Sequence, residues 1–229
     1  MHRPGLKARI RRHAVLVAML ALTFSTGIVD AVGFLVLDRV FAGNMTGNVV
    51  VLGMAIARAD DLPVLGPLLA LAGFFAGAVW GGAAMRGVPA RWTGRTTAAL
   101  VGVGAVFAVL AIVLETAPAG QTTMVSSSTV LATAMGVQAA AARHLAVRDV
   151  TTVVVTSTLV GLAAELRFLG RTKGVARRVL AVGLLIAGGV AGALSLRWSP
   201  SLGLACAGVI VLVVAVLGAI TAPRADGRA

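Results

Sequence analysis

Charged side chains are scarce in this chain, making up 12% of its 229 residues, against roughly 25% in a soluble domain. That scarcity excludes an ordinary water-soluble fold. With 59% hydrophobic residues there is too little polar surface to keep the outside wet. Cysteine occurs once, as Cys206 within an apolar run, which excludes an internal disulfide framework and reads as a small core or lipid-facing residue. Three scattered histidines and that one cysteine cannot assemble a metal site. There is no paired intramembrane carboxylate and no Ser–His pair at depth, so the sequence predicts neither an enzyme nor a bound cofactor.

What the chain does contain is long uncharged runs: Val40 to Ala57, Leu62 to Met85, Thr96 to Leu114, Thr116 to Ala142, Val179 to Leu196 and Trp198 to Pro223. A further segment, Ala14 to Leu37, is interrupted only by Asp30, and an eighth, Val150 to Ala164, is short. Several reach the ~20 residues that a helix needs to cross ~30 Å of hydrocarbon. The chain therefore reads as an all-α polytopic membrane protein, a single membrane domain over residues 1–229 with the lipid bilayer as its first partner. The net charge of +12 could suggest nucleic acid, but the basic residues lie between apolar segments rather than along one face. They read as the cytoplasmic Lys/Arg excess that orients membrane proteins. The basic start (Arg3, Lys7, Arg9, Arg11, Arg12) precedes an apolar stretch too long for a signal peptide. It predicts an uncleaved first span with residues 1–12 in the cytoplasm, in the inner (plasma) membrane of a bacterium.

Internal similarity divides the chain. Gly27-Ile28-Val29-Asp30-Ala31 has a counterpart in Gly136-Val137-Gln138-Ala139-Ala140, Met45-Thr46-Gly47-Asn48-Val49 in Val155-Thr156-Ser157-Thr158-Leu159, and Phe75-Ala76-Gly77-Ala78 in Val190-Ala191-Gly192-Ala193. Three matches in one order point to a duplication with halves of about 13–115 and 122–222. If all eight segments cross, thirteen Lys and Arg fall on the cytoplasmic side and seven outside. If the second segment of each half (about 42–57 and 150–166) dips in and returns, seventeen fall inside and only Arg39, Arg58 and Arg197 outside. The positive-inside rule prefers the second arrangement. It has six transmembrane helices plus two short re-entrant or broken helices, in a two-fold repeat whose halves are inverted; eight full spans is the alternative. Inverted repeats with broken helices recur in transporters.

The candidate site residues are polar groups within these runs. Asp30 is the only carboxylate well inside the first span. A charge at the centre of a bilayer costs about 2.5–3.5 kcal/mol on insertion scales, so such a residue faces a cavity or a partner. A functional role, a structural hydrogen-bonding role and an interfacial position are all open to it. Asn44, Thr46 and Asn48 form the densest polar cluster. Their spacing of two suits a helix start or an unwound bend, where Asn or Thr caps a short helix; packing and capping is the alternative reading. In the second half Gln138, Thr151, Thr152, Thr156, Ser157 and Thr158 occupy the equivalent zone, with Ala139 where Asp30 stands. Glu165 beside Arg167 reads as an interfacial ion pair. Arg143 and His144 read as solvated topology signals. The glycines at 73, 77, 81, 188 and 192 have the small-xxx-small spacing of close helix packing, and Trp80, Trp92 and Trp198 fit interfacial anchoring.

The pairing of Gly27-Ile28-Val29-Asp30-Ala31 with Phe41-Ala42-Gly43-Asn44-Met45-Thr46-Gly47-Asn48 resembles the signature of the YoaK family of bacterial membrane proteins, defined by a domain of unknown function. The run from Gly136-Val137-Gln138 through Thr151-Thr152 is also similar, and the likeness spans roughly residues 15–220. Where that family often reads Gln-Asn-Ala, this chain has Gln138-Ala139-Ala140. The resemblance implies a multi-pass plasma-membrane protein and supplies no activity or substrate. The expectation from the residues themselves is a permease or channel for a small polar solute or ion, with Asp30 and residues 44–48 lining its site. A non-transporting scaffold or accessory protein is the alternative.

Overall fold

The computed structural model describes residues 6–118, 120–145 and 172–222. Val150 to Ala164, including Thr152, Thr156 and Thr158, lies outside the described residues. So do Thr151, Ser157, Glu165 and Arg167.

Seven helices make up the described residues: α1 (Leu6–Val36), α2 (Met45–Ile56), α3 (Leu65–Ala84), α4 (Gly94–Thr116), α5 (Gln121–His144), α6 (Thr172–Ser195) and α7 (Pro200–Thr221). No strand occurs among the described residues. Five stretches are long and apolar enough to cross a membrane: His13–Val36, Leu65–Ala84, Gly94–Thr116, Val175–Ser195 and Pro200–Thr221. At 24 residues α5 has the length as well. Its Ser, Thr and Gln content lowers its hydropathy, and it sits deep in the bundle with Ser127, Ser128 and Gln138 all buried. By contrast α2, at 12 residues, is about 18 Å long and too short to cross. The chain is a polytopic helical membrane protein.

Sequence sets the helix ends. Thr93 caps α4 by accepting from Thr96 N–H, and Ser199 caps α7 with Pro200 in its first turn; both satisfy N–H groups that a helix start leaves open. Asn44 caps α2 by accepting from Gly47 N–H at 3.2 Å.

Three helix pairs carry most of the packing: α1 with α6, α3 with α5, and α4 with α7; α1 also lies on α7 and α4 on α5. Glycine makes these seams. A Cβ on Gly27 would lie 2.9 Å from Gly189 N, and one on Gly192 would lie 2.7 Å from Ile28 O. Gly188 faces the Phe24 carbonyl and Gly27. Because Phe24 and Gly27 meet residue 188 while Ile28 and Ala31 meet residue 192, α1 and α6 run parallel. In the α3–α5 seam Gly73 faces Thr129, Gly77 faces the Thr133 carbonyl and Gly81 faces Val137 and Ala140, so that pair is parallel too. Between α4 and α7, a Cβ on Gly104 or on Gly208 would lie 3.3 Å from the carbonyl oxygen of the other.

The packing fixes two ends. At one, the 85–93 turn approaches the end of α5, where a His144 ring nitrogen is 2.9 Å from Pro89 O. Arg95 donates to the carbonyls of Ala84 and Arg86 there. This basic end also holds exposed Arg91 and Arg143, so Arg143 and His144 sit with the 86–95 arginines. At the opposite end Arg39 pairs with Asp60 at 3.3 Å. Glu115 there accepts from Ser199 and Ser201, each at 2.6 Å, joining α4 to α7.

Trp92 differs from the expectation of an interfacial anchor. It is 5% exposed, lies flat over the bare Cα of Gly218 and donates from Nε1 to Thr97 Oγ1 at 2.9 Å. Without a side chain at 218 the indole fits between α4 and α7, so its area is spent on packing. Trp80 and Trp198 are exposed as expected, at 74% and 75%.

Candidate functional site

After α1 ends at Val36 the chain turns through Asp38 and Arg39, both with positive φ, and runs back along α1 before α2 begins. The depth of that return is fixed by one hydrogen bond: Gly43 N–H donates to Asp30 Oδ1 at 2.6 Å. The neighbouring amides of Asn44 and Ala42 also act on this carboxylate. Consecutive N–H groups curled around an anion form a nest, and here Asp30 fills it. The carboxylate in the first span thus holds the turn that precedes α2.

Asn48 completes the turn. It is fully buried. Its Oδ1 accepts from Phe41 N–H at 2.8 Å and its Nδ2 donates to Phe41 O at 2.6 Å. A primary amide is the side chain that can serve both backbone groups of one residue at once, since it carries a donor and an acceptor side by side. Away from water such groups must be paired. Phe41 in turn stacks on Phe34 of α1 at 4.7 Å between ring centroids and covers the bare Cα of Gly47.

Following α2, the chain emerges beside its point of entry. Arg39 meets Asp60, and a Cβ on Gly66 at the start of α3 would lie 3.0 Å from Asp38 Oδ2. The segment from 40 to 57 therefore begins and ends at one end of the bundle. Asp38 is outside the helices. Burial pushes its carboxyl above the ordinary carboxylate range, partly opposed by the neighbouring Arg39 charge, and its Oδ2 is buried without a hydrogen-bond partner.

Across from this turn lies α5. A Cβ on Gly43 would lie 3.0 Å from Met135 Cε, 3.1 Å from Thr26 Cγ2 and 3.5 Å from Asp30 Oδ1. Gln138, one turn beyond Met135, is fully buried and donates from Nε2 to Thr26 Oγ1 at 3.3 Å. The Thr26 hydroxyl is itself committed to Leu22 O at 2.9 Å. Gln138 Oε1 has no hydrogen-bond partner.

The structure thus gathers Asp30, Asn48 and Gln138 around one turn. Asn44 and Thr46 lie at the same turn with exposed side chains. Thr152, Thr156 and Thr158 fall outside the described residues. Thr26, Gly43 and Met135 belong to the cluster and carry no mark in the sequence beyond position. Thr26 lies one helical turn before Asp30 and so shares its face, which was the available signal. Among the described residues no group of three His, Cys, Asp or Glu side chains is close enough to hold a metal ion.

Comparison with known proteins adds the following. A family model described as a protein of unknown function (DUF1275) matches residues 18–217. The UPF0700 transmembrane protein YoaK of Bacillus subtilis (strain 168) is 33% identical over 155 residues, an alignment covering 66% of this chain and 66% of that relative. The match thus spans just under two thirds of the relative's length. No solved structure matches.

Proposed function

Starting from the chain's membership of the DUF1275 family of membrane proteins, we propose that it is a small-solute permease or channel of the bacterial inner membrane, with no enzymatic reaction, whose pathway passes the 41–46 turn. One observation carries this reading. Asn44 and Thr46 expose their side chains beside Gly43, which is held to Asp30 well inside the first span. Hydrocarbon cannot hydrogen-bond them, and irregular backbone at membrane depth is tolerated where it lines a water-filled cavity or is buried in protein. Gln138 Oε1 adds a buried acceptor with no protein partner beside the turn. The side chains around the pathway can thus accept from a solute carrying N–H or O–H groups, or from a cation.

The layout we propose has six crossings, with the 40–57 segment re-entrant and the N-terminus and the basic end in the cytoplasm. Its halves are related by an inverted two-fold axis, and the glycine seams support this. Gly27, which faces Leu185 and Gly189, lies 109 residues before Gly136, which faces Phe74 and Ala78. The partners Phe74 and Ala78 lie 111 residues before Leu185 and Gly189. By the same offsets Gly77 on Thr133 answers Gly188 on Phe24, and Gly81 on Val137 and Ala140 answers Gly192 on Ile28 and Ala31. This register is one helical turn away from the match of Gly77 with Gly192 read in the sequence. Gly104 and Gly208, each facing the other's carbonyl, mark where the axis would pass. With single cysteines at 60 and 93, an impermeant maleimide added to intact cells should label 60 and not 93; the reverse would establish eight crossings.

Transport would then follow from the two halves rocking about the 41–46 turn. The experiment is a thermal-shift screen of the purified protein against amino acids, sugars and inorganic ions, followed by uptake of any stabilising solute into proteoliposomes. Asp30→Asn keeps an oxygen for Gly43 N–H while removing the charge. It should keep the fold and lower uptake at least about ten-fold, as expected where about 1.4 kcal/mol of charge interaction is lost. Uptake unchanged in that variant would remove the Asp30 charge from the mechanism. No response to any solute, with stable co-purification of one partner protein, would replace transport with a scaffolding role.

A further inference from the structure

A groove of 410 Å³ runs between the first half of α1 and the last half of α7, lined by Ala14, Val17, Ala18, Ala21, Val213 and Leu217 among others, with Trp92 and Gly218 at its base. Its volume is that of a ligand site. Apart from one threonine, Thr221, the wall is hydrocarbon; that hydroxyl is committed to Leu217 O at 2.9 Å. Along α7 the lining runs from Val209 to Thr221, a length of about 18 Å at 1.5 Å per residue. That is close to one leaflet of a hydrocarbon core about 30 Å thick.

Two observations select an occupant. The first is charge. The groove opens at the basic end, where Trp92 joins its base to exposed Arg91, with Arg86, Arg95, Arg143 and Arg177 exposed at the same end. The carboxylates among the described residues lie elsewhere: Asp38, Asp60, Asp61 and Glu115 at the opposite end and Asp30 within the span. The second is its difference from the related half. Positions 109 residues on from Ala14, Val17 and Ala18 are Thr123, Ser126 and Ser127, so the corresponding wall at the opposite end carries hydroxyls and stands beside Glu115. An apolar groove is therefore not a consequence of the helix arrangement alone.

We propose that this groove is a binding site for an anionic phospholipid, with one acyl chain between α1 and α7 and the phosphate at Arg91. The inference is independent of transport. It rests on the complementarity of a hydrocarbon wall and a basic mouth to a lipid with a negatively charged headgroup.

Native mass spectrometry of the purified full-length protein tests it, with phosphatidylglycerol and phosphatidylcholine of identical chains supplied in competition. Wild type should retain phosphatidylglycerol about five-fold over phosphatidylcholine, the ratio expected for one basic residue near a phosphate. Arg91→Gln should bring that ratio close to one while lipid is still retained. Val17→Trp and Val213→Trp, made separately at positions 63% and 50% exposed so that the helix seams stay intact, should fill the groove and lose both lipids. Equal retention of the two lipids by wild type would overturn the proposal, as would full retention in either monodisperse tryptophan variant. A ratio unchanged in Arg91→Gln would overturn the placement of the phosphate.

Discussion

Replacing Asn48 by leucine isolates what holds the 41–44 turn. The amide is fully buried and serves Phe41 twice, accepting at 2.8 Å and donating at 2.6 Å. Leucine has nearly the same volume and can offer neither bond, so Phe41 N–H and C=O are left without partners beside apolar helices. Each buried unsatisfied group costs about 1–3 kcal/mol. Burial of the leucine side chain offsets part of that loss, since a fully buried leucine contributes about 1.5–3 kcal/mol. A net loss of about 3 kcal/mol corresponds to a fall in Tm of about 6–12 °C for a chain of this size. Thermal unfolding in detergent, followed by tryptophan fluorescence, reads the shift. Because the loss is local to the turn, a cysteine introduced at Gly43 should also react faster with maleimide in the leucine background. Asn48→Asp keeps an acceptor for Phe41 N–H and loses the donor to Phe41 O, so its cysteine reactivity should fall between the two. If Asn48→Leu melts within 1–2 °C of wild type and leaves that reactivity unchanged, the double bond to Phe41 does not hold the turn.

Two further perturbations test the rest of the architecture. Gly77→Ala puts a methyl group into the Thr133 carbonyl of α5, and overpacking of this kind costs about 1–3 kcal/mol; its Tm should fall, while Gly82→Ala and Gly102→Ala, where an added Cβ meets nothing within 4 Å, leave it unchanged. Asp38→Asn should raise Tm at neutral pH. Since burial raises the folded-state pKa of Asp38 above its unfolded value, the folded protein binds the proton more tightly, and wild-type stability falls as pH rises through the carboxylate range. The pH-dependent part of the gain should therefore disappear when both forms are uncharged in acid. A gain that is constant across that range would show that the positive φ of 60° at residue 38, which asparagine tolerates well, is the whole effect.

How much of the site was legible in the sequence depends on the residue. Asp30, Asn48 and Gln138 stand out because a polar side chain inside an apolar run needs a partner, and the structure brings all three to one turn. Thr26, Gly43 and Met135 could not be picked out, since one more threonine, glycine or methionine in a helical run has no distinguishing composition. The pairing of Asn48 with the Phe41 backbone was invisible for a different reason: side chains that serve backbone groups leave no complementary residue to search for. Trp92 was misread because an aromatic near a span end normally faces the interface, and only the bare Cα of Gly218, 126 residues away, allows it to pack inward.

Taken by itself, the order of residues determined the solvent. Uncharged runs long enough to cross hydrocarbon, and lysines and arginines confined between them, leave only a bilayer as a medium in which the chain can fold. The short polar segment at 42–57 was equally fixed by length, because 12 helical residues cannot reach across. Tertiary structure alone decided which helices touch and where the buried polar atoms find partners. Glycines at four-residue spacing fit many seams, and the choice of Gly188 against Phe24 and Gly77 against Thr133 depends on surfaces from distant parts of the chain meeting at once. The role of Asp30 was decided the same way: its environment comes from Gly43, thirteen residues on, and that approach exists only when the turn folds back along α1.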